Sequence, residues 1–138
     1  ESENARAIKS CGQLEADIAS LDTDEEKEEF IAEAGLEESG LSHLIHEGFA
    51  MLGLRTYFTA GEQEVRAWTY KDGDKAPQAA GVIHTDFEKG FIRAEVMKYD
   101  DFVELGSEAA CKEVGKLHVE GKTYVPADGD IMHFRFNV

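Results

Sequence analysis

His84, Asp86 and Glu88 alternate along His84-Thr85-Asp86-Phe87-Glu88-Lys89-Gly90, offering one imidazole and two carboxylates in a short polar stretch. On an extended segment alternate residues share a face, so this set could hold a divalent cation. Structural metal sites usually take four ligands rich in nitrogen or sulfur, and a single imidazole falls short of that. The competing reading is a tight turn capped by Thr85 or Asp86, with Gly90 supplying a backbone angle that other residues resist. His43 and His46 lie three apart, at helical spacing, with Glu47 beside them. They are either a weak metal pair or polar flanks of Leu44 and Ile45. Cys111 and His118 could make a thiolate–imidazole pair, but a free Cys on a short helix is more often a small core residue. Arg66, Trp68 and Tyr70 interleave cation and aromatic on one strand face, the composition of a surface that stacks bases or anchors a protein. The equal alternative is that Trp68 covers the sheet beside a helix. We assign no resident metal.

Other chemistries are excluded by pattern. No Gly-x-x-x-x-Gly-Lys-Ser/Thr loop, Gly-x-Gly-x-x-Gly or Gly-x-Ser-x-Gly occurs among the 138 residues. The net charge is −15, and residues 1–53 carry 14 Asp and Glu against 3 Lys and Arg. The remainder is close to neutral by comparison, at −4. Such a balance argues against a broad grip on a phosphate backbone and against DNA sequence readout, while leaving room for a local contact to RNA or protein. No apolar run approaches the roughly 20 residues of a membrane span. No basic, apolar leader opens the chain, and the start Glu1-Ser2-Glu3 lacks Met, as an excised fragment would. Cys11 and Cys111 stand far apart without a Cys-x-x-Cys pair. They read as free thiols of a reducing cytoplasm, with a single bridge as the alternative.

The elements that must position these residues follow from period and punctuation. Ala5 to Ser10 reads as extended, and Cys11-Gly12 as a turn. Leu14, Ile18 and Leu21 recur at helical spacing. Asp22-Thr23 with Glu25 and Glu26 signals a capping box for a second helix, which runs to about Ala34 with Gly35 as its stop. Its buried side is expected at Phe30, Ile31 and Ala34. Ser39 caps a third helix whose stripe is Leu41, Leu44, Ile45, Phe49 and Leu52, ended by Gly53. There the period changes, and a domain boundary is expected. Thr56 to Thr59 and Glu64 to Tyr70 read as strands around the turn Ala60-Gly61-Glu62, with Val65, Ala67 and Thr69 facing opposite to Arg66, Trp68 and Tyr70. Pro77 opens a helix. From Phe91 a strand sets Phe91, Arg93 and Glu95 against Ile92, Ala94 and Val96. Short helices are expected over Tyr99 to Leu105 and from Ser107 to Val114. Strands are expected over Lys122 to Val125 and Ile131 to Val138, the last burying Met132, Phe134, Phe136 and Val138. The order gives an α+β layout with helices against one side of a mixed sheet.

Several blocks in this order resemble the carboxy-terminal region of the YchF-type, Obg-like ATPases of the translation-factor P-loop GTPase class. They are Thr56 to Gly61, Glu64 to Thr69, Ala76 to Gly81, His84 to Val96, Gly115-Lys116, Glu120 to Lys122, Tyr124, Asp128 to Asp130 and Phe134 to Val138. The resemblance implies a ubiquitin-like β-grasp (TGS) domain over 54–138, preceded over 1–53 by a helical remnant of the nucleotide-binding domain. Cys11-Gly12-Gln13 is similar to the family's last guanine-nucleotide loop. Gly12 stands there where the family usually has Ala, and keeps its backbone N–H available. For the intact protein the resemblance implies ATP or GTP with Mg2+, catalysis in a preceding part, and contact with the ribosome or RNA. For this chain it implies a docking module whose partners are the ribosome or RNA and the nucleotide-binding domain. Arg66, Trp68, Tyr70, His84, Lys89 and Arg93 are the residues expected at partner contacts. The rival reading, a stand-alone β-grasp interaction or carrier module, wants a flexible Gly-Gly tail where Phe136-Asn137-Val138 continues a strand. The purified chain is therefore expected to show no ATP turnover in a phosphate-release assay. Sustained release that co-purifies with the chain through every column would overturn the expectation.

Overall fold

The computed structural model describes residues 7–61 and 64–137. Ala5 and Arg6 of the expected extended run, Glu62 of the expected turn and Val138 of the expected last strand lie outside the described residues. The chain divides into two compact units, Glu1–Leu52 and Gly53–Val138.

The first unit holds α1 (Gly12–Ala19), α2 (Asp24–Glu33) and α3 (Gly40–Leu52). Local chemistry sets their ends. Thr23 Oγ1 accepts from the Glu26 N–H at 3.2 Å while Glu26 Oε2 accepts from the Thr23 N–H at 3.1 Å, the reciprocal capping box. Gly35, at φ +72°, takes the left-handed angle that closes α2. The inner side of α2 is shallower than expected: Phe30 and Ile31 are half-buried, and Ala34 is an exposed C-cap. Ser39 Oγ accepts from the Ser42 N–H at 3.0 Å, as a cap should. Glu15 of α1 adds a second cap that spacing alone could not show. Its two carboxylate oxygens accept from the Gly40 and Leu41 N–H groups, at 2.7 and 3.2 Å. An anion at that helix start suits the dipole.

The second unit carries a mixed five-stranded sheet in the order β2-β1-β5-β3-β4. Its strands are β1 (Leu54–Ala60), β2 (Val65–Lys71), β3 (Phe91–Met97), β4 (His118–Glu120) and β5 (Ile131–Phe136). Only β1 and β5 run parallel. Between β2 and β3 come α4 (Ala76–Ile83) and α5 (Thr85–Lys89), and between β3 and β4 come α6 (Tyr99–Leu105) and α7 (Glu108–Glu113). A hairpin, a helix laid across the sheet and a late strand inserted at its centre make a β-grasp, within the expected α+β class.

The core explains which strand faces turn inward. Tyr57, Tyr70, Ala79, Ala80, Ala94, Val96, Met132 and Phe134 pack together beneath α4. The Tyr57 and Phe134 rings meet edge to face at 5.5 Å. The opposite face has its own smaller cluster, Met97, Cys111 and Ile131, with Phe58, Phe102 and Leu105 packed against it. Helices therefore lie on both sides of the sheet, not one, because α6 and α7 return over its second face. The sequence expectation fails at four other points. The strand expected over Lys122 to Val125 is a turn and a loop, and the β4 pairing falls earlier, at His118–Glu120. The alternation expected from Phe91 breaks at a register shift between Phe91 and Arg93. That bulge lets Phe91, Ala94 and Val96 all face the core and leaves Ile92 exposed. Phe136, expected in the core, is 37% exposed at the sheet end. Gly90 has an ordinary φ of −88°, so no special angle is needed there. Glycine is required because a Cβ would land on the Asn137 carbonyl, where the two backbones meet.

One buried charge organises the loop before β5. Asp130 is 1% exposed, and its carboxylate accepts from Lys98 Nζ at 2.5 Å, the Tyr124 hydroxyl at 2.6 Å and the Ala127 N–H at 2.8 Å. Its carbonyl accepts from the Phe58 N–H at 2.8 Å, which joins the loop to β1. Gly90→Ala is expected to lower stability by about 1–3 kcal/mol through overpacking against residue 137. Urea denaturation of the chain would read it, and an unchanged midpoint would contradict the close approach.

Candidate functional site

The residues expected at a partner surface separate once they are placed on the sheet. Arg66, Trp68 and Tyr70 share a face of β2, but it is the inner one. Tyr70 is 2% exposed and its hydroxyl donates to the Pro126 carbonyl at 2.8 Å, so it is a core residue and not an exposed stacking surface. Burial pushes its phenol up to about 12. Trp68 packs half-buried against the same core and donates from Nε1 to Thr59 Oγ1 at 2.9 Å. Arg66 closes this row at the edge, its guanidinium 4.1 Å from the centre of the Trp68 ring. The small residues Val65, Ala67 and Thr69 face outward, because α4 covers the other side.

The His84 stretch is a short helix and not a turn. His84 is its N-cap: Nδ1 accepts from the Asp86 N–H at 3.2 Å, a role expected of Thr85 or Asp86. Glu88 leans instead over Gly81, where a side chain would collide with it. His84 Nδ1 lies 3.5 Å from Asp86 Oδ2, but Glu88 does not join them in a three-donor group. Lys89 is exposed at the end of the same helix. In the first unit, the Nδ1 atoms of His43 and His46 lie 3.1 and 2.8 Å from the two oxygens of Glu38, a carboxylate the spacing argument had not singled out. Cys11 and Cys111 are both free thiols. Cys111 is buried beneath the second face, and His118 flanks Val96 and Tyr124 toward the first. The sheet stands between them, and no thiolate–imidazole pair forms.

The open part of the second face carries a cluster of charged residues. In the β3–β5 ladder Arg93 stands opposite Arg135, and Glu95 opposite His133. Arg135 donates to Glu95 Oε2 at 2.9 Å, and Arg93 approaches Oε1 at 3.9 Å. That hydrogen bond from Arg135 holds the Glu95 carboxyl below its usual range. Two guanidiniums directly across a ladder repel each other, and one carboxylate serves both. Lys89 precedes β3 at the same end of the sheet. Arg135 and His133 alternate with the apolar core residues of β5, and nothing in β5 alone marks them as facing Arg93 and Glu95. Their polar period along β5 was the available signal.

At the start of α1, Cys11 is an exposed N-cap without a side-chain cap bond, Gly12 has open space around it, and Gln13 Nε2 donates to Asp17 at 2.9 Å. A hollow of about 500 Å³ lies beside them, lined among others by Lys9, Glu15, Glu37 and Glu38. The free backbone N–H groups of the first turn fit the edge of a base. The carboxylates around them do not fit a triphosphate.

Residues 54–137 match the YchF-GTPase_C family, described as a protein of unknown function (DUF933). The chain is 57% identical over 136 residues to the ribosome-binding ATPase YchF of Bacillus subtilis, covering 99% of this chain and 37% of that protein. It is 53% identical over 133 residues to Obg-like ATPase 1 of Xenopus laevis, covering 96% and 33% respectively. A solved structure, the YchF GTPase of Schizosaccharomyces pombe, superposes with a TM-score of 0.73 at 45% identity over 88% of this chain and 32% of the other. The chain thus spans about a third of the length of the relatives it matches.

The buried tyrosines give a pH prediction with a definite sign. A phenol whose folded value lies above its unfolded value of about 10 stabilises the fold fully below pH 10. For Tyr70 that contribution disappears as pH rises through about 12. The melting temperature is expected to fall across this window, and Tyr70→Phe to flatten part of the fall. The remainder belongs to Tyr57 and Tyr124, which burial also shifts upward. A melting temperature flat to pH 12 would contradict the assignment.

Proposed function

This chain belongs to the YchF-GTPase_C family, and from that premise we propose that it is the docking module of a ribosome-associated ATPase. In this reading residues 54–138 are the TGS domain and residues 1–53 the last helices of the nucleotide-binding domain. ATP or GTP hydrolysis with Mg2+ belongs to the part of the parent protein that this chain does not span. Cys11, Gly12 and Gln13 would offer backbone N–H groups to the base there. The setting is the cytoplasm, where ribosomes are met.

The observation that carries the docking role is the arginine pair of the open sheet face. The chain is strongly acidic, yet Arg93 and Arg135 are set side by side and exposed with one shared carboxylate. Holding like charges together costs stability in the free protein. A phosphate backbone would relieve that repulsion and make charge-assisted, forked hydrogen bonds to both guanidiniums. Lys89 at the same end adds a third cation. The α3 stripe supports the other docking partner. Leu41, Leu44, Ile45 and Leu52 each keep half or more of their surface exposed, as a helix does when the rest of its layer belongs to another segment.

Ribosome co-sedimentation of the intact parent tests the reading. Arg93→Ala with Arg135→Ala is expected to weaken binding by roughly tenfold and to reduce its salt dependence. Arg66→Ala is expected to change binding far less, because its guanidinium is stacked on Trp68 away from the open face. Unchanged binding by the double variant, with its fold intact by circular dichroism, would sink the assignment.

A further inference from the structure

We propose that Glu95, Glu108 and His133 form a site for one divalent transition-metal ion of the zinc class on the second face of the sheet. One ligand atom from each residue lies within 4.8 Å of the other two, the single three-donor group among the described residues. The three come from three elements, β3, α7 and β5, so their convergence is a product of the fold and not of sequence spacing.

The placement suits a metal for specific reasons. Glu95 and His133 are direct cross-strand neighbours in the β3–β5 ladder, where the backbone holds them rigidly. Ligands at roughly 2.1 Å from a tetrahedral ion stand about 3.4 Å apart, so closure asks each side chain to move inward by about 1 Å. Rotamer adjustment of a glutamate supplies that. Arg135 binds Glu95 through Oε2, leaving Oε1 with only Arg93 at 3.9 Å as a cationic neighbour. Oε1 is therefore the ligand atom, and Arg135 orients the carboxylate from the other side, as outer partners of metal-binding carboxylates do. Among the described residues, the Glu108 carboxylate makes no ion pair, and it is not buried. A neutral imidazole with two carboxylates favours zinc, cobalt or nickel over magnesium or calcium, which take all-oxygen sets. Three protein ligands leave a fourth position for water or an exchangeable anion. Glu108 and His133 also border an open apolar groove of about 720 Å³ lined in part by Phe58, Met97 and Val103. An ion here would tie α7 to the sheet.

The site shares Glu95 and its neighbour Arg135 with the proposed docking face, and it is tested on the chain itself, apart from ribosome binding. The background carries His43→Ala and His46→Ala, to remove the other histidine pair. Co2+ is titrated into 15N-labelled protein and followed by amide broadening, and ZnCl2 is titrated by calorimetry. The expected result is one ion per chain, broadening centred on residues 95, 108 and 133, and a higher melting temperature with Zn2+. His133→Ala and Glu108→Gln are each expected to weaken binding by roughly tenfold or more. Both positions lie at the surface side of the cluster, so the variants fold. Broadening centred elsewhere, or either variant titrating like its parent, would overturn the proposal.

Discussion

The buried carboxylate of Asp130 is the constraint on which the rest of the β-grasp unit depends. An ionised group at 1% exposure is tolerated only when its oxygens are satisfied, and here Lys98, Tyr124 and the Ala127 N–H satisfy them. Each partner is also a positional statement. Lys98 follows β3, Tyr124 and Ala127 belong to the loop before β5, and the Asp130 carbonyl receives a hydrogen bond from the Phe58 N–H of β1. The same loop accepts the Tyr70 hydroxyl at Pro126 and the Ala76 N–H at Tyr124. A polar knot of this kind contributes little net energy but admits few alternative geometries. It sets the register in which β5 enters between β1 and β3, and so decides which residues of β5 point to α4 and which point away.

That division has a functional reading. The α4 face spends its aromatic residues on packing: Tyr57, Tyr70, Trp68 and Phe134 all turn toward it. The opposite face is closed by α6 and α7 at one end only. Its open part gathers Arg93, Glu95, His133 and Arg135, residues that alternate with core positions along two adjacent strands. A surface that looked weak in single strands becomes a charged cluster when the strands are paired.

Much of the fold was legible because its signals are local. Thr23 with Glu26, Ser39, Ser107 and Pro77 mark helix starts by short-range hydrogen bonding or fixed φ, and Gly35, Gly53 and Gly115 adopt the positive φ their positions required. The misreadings are non-local. A bulge at Ile92–Arg93 cannot be seen in an alternating pattern, since either phase looks apolar until the partner strand is known. Tyr70 read as a stacking surface because nothing in its neighbours announces that Pro126, 56 residues later, accepts its hydroxyl. Gly90 is glycine for Asn137, again a distant contact. The candidate site suffered most, because Arg135, Glu95, Glu108 and His133 meet only through strand pairing and the return of α7.

The position of β5 in the sheet has a consequence for biosynthesis. It is central in space but follows the other four strands in sequence. As the chain leaves the ribosome, β1 with β2 can form a hairpin and β3 can wait with β4, but neither half has a continuous core. Both halves carry an open inner edge until residues 131–136 emerge, and the parallel pairing to β1 closes a loop of some seventy residues. Assembly is therefore a late, single event set by loop closure and not a gradual growth. The interval before it is when nascent chains are most exposed to edge-to-edge association.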